Sequence, residues 1–483
     1  MLFNSSHRKT HRRWCGQSRI CRTTVIVQLL LFLTVSFVVC GLLKASDAGA
    51  SLLSMNGQKV LDIHTDPNPG AAEVPEQPNG KPKRYGYTYT TLPGYFLQDD
   101  PQTKAQTFDF MKTNFGLVQR PYDSDESLPN NGQGMTPWQR FENHITSLNH
   151  AAKRKRDGSE DGGHVQYKLL FLGRHGNGYH NIAERYYGNE AWDCHFSALD
   201  GDPDDIMVWS DAHLTKEGRR QATEVHDFWK AQIKEEKMSL PQAYVVSPLD
   251  RTLQTAEITF QGIVDKFRPT VMERLREGTG IHTCDRRSTV SYVRDRYPEY
   301  ITTADPLLTE TDEYWDAELR EPDDVLTARL GKLLDQVMQS EAFREAETIS
   351  FTSHSGAIGA MLRVLAHRPF SLGTGAVIPV FVKMERVELE KRHGGKAEGG
   401  KHANVDDDAH DDIVQDEADE DEHEDTLAGT MSVDKSKWGK IPACPADMDL
   451  QTVGQKRWGM GLKDFLTGVE NGTIQLEEVA LRH

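Results

Sequence analysis

Positive charge in excess is what this sequence lacks. Its 483 residues carry 56 Lys and Arg against 73 Asp and Glu, a net charge of −17. That balance argues against a general nucleic-acid binder, which needs a basic face to offset phosphate charge. Cysteine is scarce, six in all, so at this length the chain is no small disulfide-stapled scaffold. No ligand spacing of the zinc type occurs, and there is no internal repeat. What is present is 37% hydrophobic, enough to bury a real core. The acidity is concentrated: residues 393–425 hold 14 Asp and Glu against 2 Lys, which leaves the rest at about −5. With almost no apolar side chains this stretch cannot offset its ordering entropy, so a disordered acidic insert is expected over about 393–436. A basic protein is the partner such an insert would recruit.

One run is long and apolar. Residues 25–43 have only Gln28, Thr34 and Ser36 as polar members, and a helix of that length reaches about 28 Å, close to the ~30 Å hydrocarbon core. Arg8, Lys9, Arg12, Arg13, Arg19 and Arg22 precede it without an acidic residue, and the far flank offers only Lys44 before Asp47. The positive-inside bias then gives a cytosolic tail (1–24), a signal anchor (25–43) and a type II single-pass orientation. A cleaved signal peptide is the alternative, since Ala48-Gly49-Ala50 resembles a cleavage site. Either route delivers the remainder to the secretory lumen or the cell exterior. Residues 44–84, rich in Pro, Gly, Asn and Asp, read as a linker or stalk. In that compartment Cys194, Cys284 and Cys444 allow one bridge and one free thiol, with the pairing left open. Asn471-Gly472-Thr473 is a glycosylation sequon at Asn471.

Residues 85–483 carry the pattern of an α/β domain. Short apolar runs at 167–172, 243–246, 348–352 and 377–389 read as buried strands, with helices at 215–233, 251–260, 323–346 and 357–365. This alternation predicts a three-layer, largely parallel sheet with helices on both faces. Lys153-Arg154-Lys155-Arg156, ahead of Asp157-Gly158-Ser159, reads as an exposed loop. Reacting groups in such sheets gather past the C-terminal ends of strands. Three strand ends carry them here: Gly173-Arg174-His175-Gly176 with Asn181 following, Ser247-Pro248-Leu249-Asp250-Arg251, and Thr352-Ser353-His354-Ser355-Gly356. Arg251 falls at a helix start, where its guanidinium and the helix N-terminus can both face an anion. Singly each residue passes as a capping or surface group; together Arg174, His175, Arg251 and His354 point to an anion site.

These residues, with Leu214-Thr215-x-x-Gly218-x-x-Gln221-Ala222, resemble the histidine phosphatase superfamily in its phosphoglycerate-mutase-like branch over about 165–389. Residues 85–118 look like fungal phosphomutase-like members. The acid-phosphatase branch fits badly, because Asn177, Gly178 and Tyr179 follow the glycine. The resemblance implies that His175 is the nucleophile taking the phosphoryl group, and that Arg174, Arg251 and His354 bind its oxygens with help from Asn181. Neither metal nor other cofactor is then required. The residue types suit the chemistry: phosphoryl transfer needs positioning and positive donors, and a neutral imidazole can attack phosphorus and later leave to water. A proton donor for the leaving alcohol is also implied, at Glu277, with Glu273 the weaker candidate. Arg286 and Arg287 either bind a second anionic group of the substrate or form surface salt bridges, and His282 either packs or meets substrate. The expected function is a membrane-anchored phosphomonoesterase acting on a small phosphorylated substrate through phosphohistidine. A phosphoglycerate mutase is the second reading, and an inert adaptor using the acidic insert the third.

Overall fold

The computed structural model describes residues 85–157, 164–388 and 433–474. The apolar run at 25–43, the linker at 44–84 and most of the acidic insert lie outside the described residues. The last residues assigned to the insert, 433–436, are described, and Lys435 pairs there with Asp316 at 2.9 Å. Among the described residues no helix is long and apolar enough to cross a membrane.

The strands are β1 Tyr85–Thr91, β2 Val165–Arg174, β3 Ala243–Val246, β4 Thr270–Val271, β5 Leu319–Arg320, β6 Thr348–Ser353, β7 Val377–Glu388 and β8 Gly439–Lys440. Six of them form one sheet in the order β1-β7-β2-β6-β3-β4, and β5 pairs with β8 apart from it. β2, β6, β3 and β4 run parallel, whereas β7 is antiparallel to β2 and β1 to β7. The largely parallel expectation is thus corrected to a mixed sheet. The cause is local: residues 365–376 bring the chain back at the end where β2 finishes. There Gly375 N–H bonds the His175 carbonyl and Arg174 N–H the Ala376 carbonyl, both at 2.9 Å. A strand that starts beside the end of β2 runs back along it.

The helices are α1 Pro137–Asp157, α2 Tyr179–Tyr187, α3 Asn189–Cys194, α4 Lys216–Glu235, α5 Asp250–Phe260, α6 Val290–Arg296, α7 Asp323–Gln339, α8 Ser355–Val364, α9 Val453–Trp458 and α10 Leu462–Glu470. The basic cluster at 153–156 closes α1 rather than forming a loop, a placement that puts cations at the negative end of the helix dipole. α7 stops well short of 346, because Ser340 caps it in an extended conformation (φ −64°, ψ 134°). Beyond the cap the Arg344 and Ala346 carbonyls accept from the buried Lys168 ammonium at 2.7 and 2.6 Å.

β2 shows why both faces of the sheet are covered. Leu169, Leu170, Phe171 and Leu172 are all buried, and their directions alternate, as strand geometry requires. Leu170 and Leu172 pack with Leu330, Leu333, Ile358 and Met361 of α7 and α8. Leu169 and Phe171 pack with Trp138, Phe141, Trp229 and Leu253 of α1, α4 and α5. Each such side chain contributes about 1.5–3 kcal/mol by leaving water, so the three layers follow from the alternation. A separate aromatic cluster of α2, α3 and α10 includes Ile182, Tyr186, Trp192 and Phe465. Cys194 at the end of α3 is disulfide-bonded to Cys444 in the segment after the insert. Among the described residues Cys284 is the free thiol, and it is buried.

Candidate active site

The turn after β2 is built by close approach. A Cβ on Gly176 would collide with the Gly218 carbonyl, and one on Gly218 with the Asn177 carbonyl. Glycine at both positions lets the turn lie against the start of α4. Thr215 caps α4 by accepting Gly218 N–H at 3.0 Å, and its hydroxyl also bonds Asn177 Oδ1 at 3.0 Å. Gln221 Oε1 accepts Asn177 N–H at 2.8 Å, and Thr255 Oγ1 accepts Gly176 N–H at 3.0 Å. The Leu-Thr-x-x-Gly-x-x-Gln pattern is therefore the clamp on this turn.

The clamp fixes the His175 imidazole. Its Nδ1 lies 2.7 Å from the Gly176 carbonyl, an acceptor only, so Nδ1 carries the proton and Nε2 keeps its lone pair. Burial first, then the charges of Arg251 and Arg174, hold the imidazole well below the usual histidine range. It is neutral at pH 7, as a nucleophile must be.

Arg251 and His354 meet at the next two strand ends. Arg251 Nε–H donates to His354 Nδ1 at 3.2 Å, which puts the His354 proton on Nε2, where it reaches Ser247 Oγ at 2.8 Å. The His354 ring stands 5.2 Å from that of His175. Arg251 also donates to Asp285 Oδ1 at 2.8 Å, and Arg320 to Asp285 Oδ2 at 2.9 Å. Asp285 is buried, yet Arg320 and Arg251 hold its carboxyl at about 2 against the burial that would raise it. Behind Arg251, Asp250 accepts from the Tyr292 and Tyr297 hydroxyls at 3.2 and 2.8 Å and also bonds Gln254 and His213. This anchors the first turn of α5 from below.

Glu277 sits at the N-terminus of α8, directly after His354. Its carboxylate accepts from Gly356 and Ala357 N–H at 2.9 Å and from Gly278 N–H at 3.0 Å. A Cβ on Gly356 would collide with Glu277 Oε1, so the glycine after His354-Ser355 is the seat of this carboxylate.

Not every residue singled out in the sequence joins the site. Arg287 corrects the expectation of substrate binding. Its five N–H groups go to Glu273 Oε2 at 2.8 Å and to the carbonyls of Ser288, Glu310, Thr309 and Thr311, which leaves none for a ligand. Glu273, the weaker acid candidate, is spent between Arg287 and Arg276. Arg286 is half-exposed, pairs with Asp200 at 2.6 Å and lies over the Trp315 ring. Arg174 donates to the Leu372 carbonyl at 2.7 Å. Asn181 uses Oδ1 to cap α2 through Gly178 N–H at 3.0 Å, and its amide NH₂ is the group left to donate. Asn471 is exposed at the end of α10, with Thr473 N–H 3.0 Å from its Oδ1. His282, Cys284 and Asp285 bring three potential metal-ligand atoms within 4.8 Å of one another. Asp285 is committed to two arginines there, and burial pushes the Cys284 thiol up, so the trio suits a charge network better than a cation.

Sequence reasoning missed Asp285, Arg320, His180 and Glu184. Asp285 and Arg320 had no local signal, since their pairing spans 35 residues. His180 lies inside the motif, its ring 5.3 Å from that of His175. Burial, with Asp193 adding to it, pushes Glu184 up to about 7.

A family model described as the histidine phosphatase superfamily (branch 1) matches residues 203–380, a span containing Arg251, Glu277 and His354. The chain is 47% identical over 303 residues to a probable phosphoglycerate mutase of Arthroderma benhamiae, covering 62% of this chain and 85% of that protein. It is 35% identical over 240 residues to a probable phosphoglycerate mutase of Saccharomyces cerevisiae, covering 45% and 79%. To phosphomutase-like protein 3 of Candida albicans it is 34% identical over 224 residues, covering 46% and 68%. Such identity over most of a relative's length, on a sheet whose strand ends bring these arginines and histidines together, makes the chain a member of the histidine phosphatase superfamily, in its phosphoglycerate-mutase-like branch.

Proposed function

We propose that this protein is a membrane-anchored phosphomonoesterase that works through a phosphohistidine at His175 and needs no metal. One observation carries the reading: a buried neutral imidazole with Nδ1–H tied to the Gly176 carbonyl and its Nε2 lone pair left over, within the field of Arg251 and Arg174. In the first step Nε2 attacks phosphorus and the ester P–O bond breaks, while Glu277, protonated as the anionic ester binds beside it, gives that proton to the departing alkoxide. In the second, water attacks phosphorus, Glu277 takes the water proton, and the N–P bond breaks to restore the His175 lone pair. Arg174 and Arg251 offer N–H donors to the phosphoryl oxygens, and the Asn181 amide is a further donor. His354 orients Arg251 and has one N–H, now on Ser247, to offer. Each donor of this kind is worth ~10²–10³ in kcat when it meets developing charge.

The names of the relatives favour a second reading, phosphoglycerate mutase-type transfer. Against it, a mutase must grip a second acidic group, and Arg287 is consumed inside the protein. Hydrolysis is the better fit. The anchor rests on residues 25–43, the Cys194–Cys444 bridge suits an oxidising compartment, and Asn471 is exposed for glycosylation.

The test is phosphate release from an aryl phosphate by the full-length protein in detergent, with a chelator present, beside His175→Ala. Release that survives the chelator and disappears in the variant supports the reading. Release that persists in His175→Ala, or that the chelator abolishes, sinks it.

A further inference from the structure

His180 is a buried imidazole whose Nδ1 has no hydrogen-bond partner among the described residues. It is 8% exposed and sits in the first turn of α2. Buried polar groups are nearly always bonded, and an orphaned one costs folding stability. An apolar residue would fill the same space at no such cost. The backbone is nevertheless shaped around the ring: a Cβ on Gly178 would stand 2.7 Å from His180 Nδ1 and 2.8 Å from its Cε1.

The ring lies among the groups of the site. His175 is its ring neighbour at 5.3 Å. Burial, with Arg251, His175, Arg174 and His282 around it, keeps His180 neutral, so one nitrogen donates and the other accepts. His354, by contrast, has both nitrogens engaged, one by Arg251 and one by Ser247. Of the two imidazoles beside the nucleophile, His180 is the one with a nitrogen to spare.

We propose that His180 is a catalytic residue, donating a hydrogen bond to a non-bridging oxygen of the phosphoryl group as it passes to His175. The proposal rests on the phosphohistidine reading above. No proton is transferred; the bond stabilises charge on the oxygen and costs folding stability while the site is empty.

His180→Phe, which keeps the bulk and removes both nitrogens, tests it beside His180→Asn and His180→Gln. Each amide returns one N–H near a ring nitrogen. Kinetics on an aryl phosphate, thermal midpoints and calorimetric binding of inorganic orthovanadate are measured on the full-length protein. The expected result is a fall of 30-fold or more in kcat/KM and of tenfold or more in vanadate affinity for the Phe variant, at an unchanged or higher midpoint. One amide variant should recover at least tenfold over Phe. Activity of the Phe variant within threefold of wild type overturns the proposal. So does a loss that tracks a falling midpoint in all three variants, because His180 is then only packing. An inactive wild type refutes the phosphatase reading instead, and undiminished vanadate binding by the Phe variant would then still count against His180.

Discussion

Replacing Gly356 by alanine should displace the acid and leave the fold standing. The added Cβ would collide with Glu277 Oε1 and lie 3.0 Å from its Cδ. The obstacle is the far end of a side chain, so the carboxylate moves and the helix does not. Glu277 then loses the Gly356 and Ala357 N–H bonds, both 2.9 Å long. Two charge-assisted bonds are worth ~3–6 kcal/mol together. Water at the half-buried helix start recovers part of that, and alanine gains about 1 kcal/mol over glycine in helix propensity. A net loss of ~1–3 kcal/mol follows, too small to unfold a domain with this core. Losing a general acid costs ~10²–10⁴ in rate, which is ~3–5.5 kcal/mol of barrier. The assay is kcat/KM on an aryl and an alkyl phosphate. An aryl oxide leaves with little help, so the loss should fall on the alkyl ester. Equal losses on both substrates, or none, would refute Glu277 as the proton donor.

Reducing the Cys194–Cys444 bridge, which closes a separation of 250 residues, should cost ~2–5 kcal/mol; a thermal midpoint indifferent to reductant would contradict that. His175, His180 and His354 are held well below the ordinary histidine value, by burial first, so the unfolded chain takes up protons near pH 6.5 that the native state refuses. Their contribution is therefore present above pH 6.5 and lost as pH falls below it. His213, raised by its bond to Asp250, works the other way: its contribution is full below pH 6.5 and fades as pH rises through the folded value. Urea midpoints that stay level between pH 7 and 5 would count against the buried trio. Arg287→Ala takes one of its two arginines from the buried Glu273 and should destabilise by ~3–5 kcal/mol, whereas Arg286→Ala, which removes a half-exposed pair with Asp200, should leave both stability and KM alone. A reversed pattern in denaturation and kinetics would mean the two arginines have been assigned the wrong way round.

The strand ends were legible because burial on both faces leaves its mark as apolar runs, and Arg174, His175, Arg251 and His354 follow those runs directly. Glu277 was implied only by the resemblance to the histidine phosphatase family, and its seat on the α8 backbone left no mark in the sequence. What stayed hidden depends on contacts between distant segments. Arg287 looks like a surface cation until Glu273 and the carbonyls at 309–311 close around it. The Cys194–Cys444 pairing and the Asp285–Arg320 pair likewise have no local pattern. His180 was in plain view within the motif, but its distinction is a missing bond, which only three dimensions disclose. The antiparallel return of β7 was missed for a related reason: an apolar run gives a strand and not its direction.

The central claim is a phosphoryl group on His175. The most direct measurement is rapid mixing of the full-length protein with a phosphate ester, an alkaline quench that preserves phosphohistidine, and ³¹P NMR with peptide mapping of the product. Phosphorus is expected on Nε2 of His175, formed and consumed at rates compatible with turnover and absent from His175→Ala. Turnover without any phosphoenzyme, or phosphorus on another residue, would contradict it.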